Sequence, residues 1–134
     1  MPANHLETRL RLAFLWVFVN LNTFARDMHE LGREGMLKQM MTGTVNGVKI
    51  TEELLLIGGL MSEVSILMML LSLILARSIN RWVTIIGAVL TFFLLVMLNI
   101  NPDLDNIFFL AVQTIALAAI LCIAWRWRSA SPAI

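Results

Sequence analysis

Residues 54–76 read LLLIGGLMSEVSILMMLLSLILA, a run of 23 residues whose one charged side chain is Glu63. A helix of that length crosses the hydrocarbon of a bilayer, about 30 Å thick. At the helical rise per residue, the carboxylate lies roughly 14 Å past Leu54, close to the middle of the lipid. An ionisable group there is costly, and it is expected to face a bundle interior or a wet cavity and to mark function. How the rest of the chain shelters that carboxylate decides the fold.

The composition agrees with a membrane setting. Of 134 residues, 59% are hydrophobic and 14% charged, and mean hydropathy is +0.82. Soluble domains run near 45–50% apolar and about 25% charged. The length suits a single domain, residues 1–134. A net charge of +1, with no basic stripe interleaved with aromatics, argues against nucleic acid as a partner. Cys122 is the sole cysteine, so an internal disulfide is excluded, and its apolar surroundings predict a small buried filler. There is no Gly-rich phosphate loop, C-x-x-C, H-E-x-x-H or G-x-S-x-G. No catalytic residue is assigned, and neither a metal nor a cofactor is predicted.

Four apolar runs predict helices at about 10–27, 54–76, 82–100 and 107–125, with an extramembrane loop over 28–53. The first opens on Arg9 and Arg11, as a secretory signal would. It carries Asn20 and Asn22 and no A-x-A-like cleavage site, so it reads as a retained helix. Residues 77–81 and 101–106 form short links, which make neighbouring helices antiparallel. The fold class is therefore an all-α membrane protein, a four-transmembrane-helix antiparallel bundle. Arg9, Arg11, Arg77, Arg81, Arg126 and Arg128 gather on one side, where Glu7 is the only acid. Asp103, Asp105 and a loop of mixed charge lie on the other. That bias predicts a bacterial inner (plasma) membrane protein with both termini cytoplasmic. Trp82, Trp125 and Trp127 read as interfacial anchors on the same side.

Within the loop, Met36, Leu37, Met40 and Met41 recur at helical spacing and predict a short amphipathic helix on the membrane surface. No histidine or cysteine joins these methionines to make a metal box. Gly43 ends that helix, and Asn46-Gly47 marks a tight turn. Thr51 caps the following helix, with Glu52 and Glu53 complementing its positive end. The tail from Ser129 to Ile134 is expected to be loose.

Trp16, Asn20, Thr23 and Asp27 are spaced four, three and four apart, one face of the first helix. Lipid would leave their polar groups unpaired, so that face is expected to turn inward. Thr84, Ala88 and Thr91 make a small-residue seam on the third helix, with Asn99 near its outer end. Gln113 lies on the fourth. By depth, Asn20, Asp27, Glu63, Asn99 and Gln113 belong to the outer half or the midplane. The expected site is an outward-facing polar pocket with Glu63 at its floor, lined by Asn20, Asp27, Gln113, Asn99, Trp16 and Thr23. The plainer reading of the uncharged members is interhelical glue, worth well under 2 kcal/mol each. The hydroxyls of Ser62, Ser65 and Ser72 can bond their own helix backbone.

Leu15-Trp16, Asp27, Gly43 and Gly47 followed by Thr51, Glu63-Val64-Ser65, Met68, Ser72 and Asn80-Arg81-Trp82 resemble motifs of a bacterial family of unknown function with four helices. The resemblance covers roughly Leu10 to Arg128 and implies the architecture without an activity. More distantly, the charged end of the first helix and the acid of the second are similar to the DoxX-like group of small membrane proteins. Some of that group are tied to quinone redox chemistry, for which this chain shows no ligand set of its own.

Three functions follow as expectations. The first is a small non-catalytic integral membrane protein, a homo-oligomer or a subunit of a larger membrane assembly. The second is a proton-coupled carrier of a small solute or amphipathic cation, using Glu63. Its layout resembles the small multidrug exporters, although their carboxylate stands in the first helix. The third is a DoxX-like membrane redox or lipid-handling protein. The expected partners are the lipid bilayer, further membrane subunits and a small amphipathic ligand.

Overall fold

The computed structural model describes residues 3–97, 99 and 103–127. Four long helices make up most of it: α1 (Ala3–Leu31), α3 (Glu52–Ile74), α4 (Arg77–Met97) and α5 (Leu104–Arg126). Between the first two lie a short helix, α2 (Met36–Met41), and a hairpin of β1 (Thr44–Val45) and β2 (Val48–Lys49). Ile100, where the third span is expected to end, lies outside the described residues, as do Arg128 and the tail from Ser129.

α1 packs on α3 and α5, and α4 packs on the same two helices. Cross-helix contacts run in opposite register on α1 and α3, with Arg9 near Leu73 and Asn20 near Ser65. They do so on α1 and α5 as well, with His5 near Trp127 and Thr23 near Gln113. The result is an up-down bundle of antiparallel neighbours, as short links require. Its core is Leu12, Trp16 and Val19 from α1, Met68 from α3, Ala88 and Leu95 from α4, and Ala116, Leu117 and Ile120 from α5. The outer surface is apolar: Phe14, Leu55, Leu56, Ile86, Phe108 and Ile115 are each more than 60% exposed. α3, α4 and α5 are long and apolar enough to cross a membrane.

Each long helix begins earlier than the expected bounds, while α3 ends sooner, at Ile74. α1 reaches from Ala3 to Leu31 and α4 begins at Arg77, so charged residues that read as flanks belong to the helices. An arginine's long apolar stem can lie along a helix while its guanidinium reaches water. The link between α3 and α4 is thereby reduced to Leu75 and Ala76.

The turn chemistry of the loop is local. α2 occupies the Met36–Met41 stripe, and Gly43 follows at φ 74°. Asn46 and Gly47 both take positive φ, 50° and 81°, between the paired residues Val45 and Val48. Two left-handed residues in a two-residue loop are what a type I′ hairpin demands. Thr51 Oγ1 accepts a hydrogen bond from the Leu54 amide at 3.2 Å and caps α3.

Candidate functional site

Among the described residues, three bonded groups of polar side chains join the helices of the bundle. The first joins α1 to α3. Asn20 Nδ2 donates to the carbonyls of Trp16, at 2.8 Å, and Ser65, at 3.1 Å. The Ser65 hydroxyl donates to Asn20 Oδ1 at 2.8 Å. The second joins α1 to α5, where Gln113 Nε2 donates to Thr23 Oγ1 at 2.8 Å and that hydroxyl donates to the Val19 carbonyl at 3.0 Å. The third joins α3 to α4. Asn80 Nδ2 donates to the Ser72 carbonyl at 2.7 Å, and Thr84 Oγ1 donates to Asn80 Oδ1 at 3.1 Å. Asn80, Thr84, Gln113 and Ser72 are fully buried. Trp16 Nε1, Gln113 Oε1 and Thr91 Oγ1 are enclosed without a partner.

Of the expected pocket, the structure brings together Trp16, Asn20, Thr23 and Gln113. Asn99 is half-buried and bonds the Leu95 carbonyl of its own helix at 2.7 Å. Asp27 is exposed and pairs with its neighbour Arg26 at 2.8 Å. Glu63 is exposed too, so the inward-facing carboxylate is corrected to an outward-facing one. The reason is angular. Ser65, Met68 and Ser72 form the buried stripe of α3, and Glu63 precedes Ser65 by two residues, about 200° around the helix. Asp27 is uncovered because every residue of α3 from Glu52 to Leu60 is exposed. A Cβ added at Gly58 or Gly59 would meet nothing within 4 Å, so the first half of α3 stands free of the bundle. Cys122, expected as buried filler, is exposed on α5.

Glu63 lies in a line of exposed residues. Leu56, Gly59, Glu63, Ile66, Leu70 and Leu73 are spaced three, four, three, four and three apart, and all are exposed. This is the a/d spacing of a helix that packs along another at a shallow angle.

Two charged ends complete the geometry. At one end, Glu30, Asp103 and Asp105 bring carboxylate oxygens within 4.8 Å of one another. The Arg33 guanidinium pairs with all three. Asn106 Nδ2 donates to Glu30 at 2.6 Å and to Asp103 at 2.7 Å, and His29 faces Asp105 at 3.3 Å. This cluster fastens the end of α1 to the start of α5. No local pattern in the sequence marks it, because its two halves, Glu30 with Arg33 and Asp103 with Asp105, come from segments far apart in the chain. At the other end, Arg9 Nη1 donates to the Leu73 carbonyl at 3.1 Å. That contact satisfies one carbonyl at the C-terminus of α3, where cations also favour the helix dipole.

These features define a small helical protein with helices that could span a membrane, tied together by buried amides and hydroxyls. The chain belongs to DUF6326, a family of unknown function, whose sequence profile matches residues 4–132. Neither a curated protein nor a solved structure matches it.

Proposed function

We propose that this protein is a small, non-catalytic integral membrane protein of four spans that assembles with a second copy of itself along α3. The observation that carries the reading is Glu63, exposed within a long apolar helix and without a bonded partner among the described residues. Acyl chains cannot satisfy a carboxylate, whereas a second protein surface can. A twofold axis along the membrane normal would set two copies of α3 side by side in the same direction, with the two Glu63 residues level. Two facing carboxyls can share one proton and hydrogen-bond each other. Gly59, one turn away and in open space, lets the two backbones approach, and Ile66, Leu70 and Leu73 continue the seam.

α1 supplies the fourth span. Its apolar stretch packs inside the same bundle, with Leu12, Trp16 and Val19 fully buried. The arginine-rich end is assigned to the cytoplasm of a bacterial inner membrane, since arginines concentrate at the helix ends there.

Counting bleaching steps of the labelled chain in dilute liposomes tests the reading. Wild type gives two steps, Gly59→Leu gives one, and Phe14→Ala, on the outer face of α1, leaves two. Single-step bleaching of wild type at every protein density overturns it.

The same unbonded carboxylate favours a second reading, a proton-coupled carrier of an amphipathic cation that uses Glu63. Glu63→Gln would then abolish proton-driven uptake into vesicles, and uptake that persists in the variant removes this reading.

A further inference from the structure

The arginine-rich end holds a cleft of about 380 Å³ lined by Arg77, Ser78, Arg81, Trp82 and Trp127. Four of these lie on the first turns of α4, whose leading amides have no carbonyl to bond within the helix. Ala76, just before α4, has no side-chain oxygen to cap them. Neither Arg77 nor Arg81 has a carboxylate partner among the described residues. At this end an ion pair joins Arg11 to Glu7.

The donors around the cleft outnumber their acceptors. Arg77 Nη1 lies 3.4 Å from His5 Nε2, and Trp127 Nε1 lies 3.4 Å from His5 Nδ1. A neutral imidazole offers one acceptor nitrogen, whichever tautomer it adopts. One of the two N–H groups therefore faces another donor and needs an acceptor from elsewhere. Arg81 Nε is enclosed and unbonded. Its guanidinium carbon sits 5.4 Å from the Trp82 ring centroid and 5.7 Å from that of Trp125. Stacking between two indoles holds the cation in place without neutralising it.

We propose that this cleft binds a phosphate-bearing anion, with Arg77, Arg81, Ser78 and the first amides of α4 as its donors. Guanidinium groups grip tetrahedral oxyanions through paired, charge-assisted hydrogen bonds. A helix N-terminus adds amides and a favourable dipole. The tryptophans place the cleft at headgroup depth, where basic pockets between spans take anionic lipids. The headgroup of an anionic lipid and free inorganic phosphate share this chemistry.

The test titrates the full chain in neutral detergent, reading tryptophan fluorescence and native mass spectra. The probes are short-chain phosphatidylglycerol, short-chain phosphatidylcholine and inorganic phosphate. Saturable binding of phosphatidylglycerol, but not phosphatidylcholine, is expected. Arg77→Gln and Arg81→Gln each weaken it about tenfold, the loss of one charged hydrogen-bonding partner. Arg11→Gln, on the same end but outside the cleft, leaves it unchanged. Competition by inorganic phosphate assigns the site to a free anion, and its failure to compete assigns it to lipid. If a glutamine variant does not fold, the wild-type titrations decide alone. No saturable binding of either anion, or an equal loss in Arg11→Gln, overturns the proposal.

Discussion

Asn20 and Ser65 exchange hydrogen bonds across the α1–α3 contact. The Ser65 hydroxyl donates to Asn20 Oδ1 at 2.8 Å, and Asn20 Nδ2 returns a bond to the Ser65 carbonyl at 3.1 Å. Both amide hydrogens of Asn20 are used, the other by the Trp16 carbonyl. This exchange fixes the rotation of α3 about its axis and thereby turns Glu63 away from the bundle.

Asn20→Leu should cost roughly 1 kcal/mol, the scale of an interhelical hydrogen bond in lipid. Ser65→Ala should cost about as much, and the double variant little more than either alone, because the two groups are one unit. Unfolding in mixed micelles with increasing SDS measures all three. Full additivity would show that the pair is not coupled.

Gly87 and Gly59 should respond oppositely to a large side chain. A Cβ at Gly87 would lie 2.8 Å from Met68 Sδ, whereas one at Gly59 meets nothing within 4 Å. Gly87→Leu should therefore lower monomer stability by about 1–3 kcal/mol, the usual cost of overpacking. Met68→Ala added to it should restore part of the loss. Gly59→Leu should leave monomer stability unchanged in the same assay.

Arg33→Gln should loosen the end of α1 from α5. The guanidinium is the shared counter-ion of Glu30, Asp103 and Asp105, and without it three carboxylates face one another. These groups are partly exposed, so the stability loss is small, about 1 kcal/mol or less, and salt-sensitive. Faster amide exchange in residues 26–31 and 104–109 is the measurement, with unchanged exchange in the first turns of α4.

Gly47→Val should open the hairpin. Position 47 sits at φ 81°, where a β-branched side chain costs about 1–3 kcal/mol. Loss of amide protection at Ile50, whose N–H bonds the Gly43 carbonyl at 2.8 Å, reports it.

Much of this fold was legible because its signals are local. The α3 and α5 runs, the methionine stripe of α2, Asn46-Gly47 and the Thr51 cap each follow from a few adjacent residues. The inner partners of Asn20 and Gln113 were foreseeable only as a class, since lipid excludes unpaired amides. Nothing local marks Ser65 or Asn80 as an interhelical partner, because a serine can bond its own helix and Asn80 stands beside the charged Arg81. Glu63 was expected inside because burial of acids in lipid is costly. Cost alone does not tell an interior from an interface with another chain, and the Ser65–Met68–Ser72 spacing did carry the angle. The Arg33 cluster joins distant segments and leaves no local trace.

Cysteine cross-linking in native membranes bears most directly on the orientation of Glu63. In a Cys122→Ser background, Glu63→Cys and Gly59→Cys should each oxidise to a disulfide-linked dimer. Ser72→Cys, on the buried stripe, should not. Cross-linking through Ser72→Cys, with the cysteines at 59 and 63 remaining monomeric, would contradict the account.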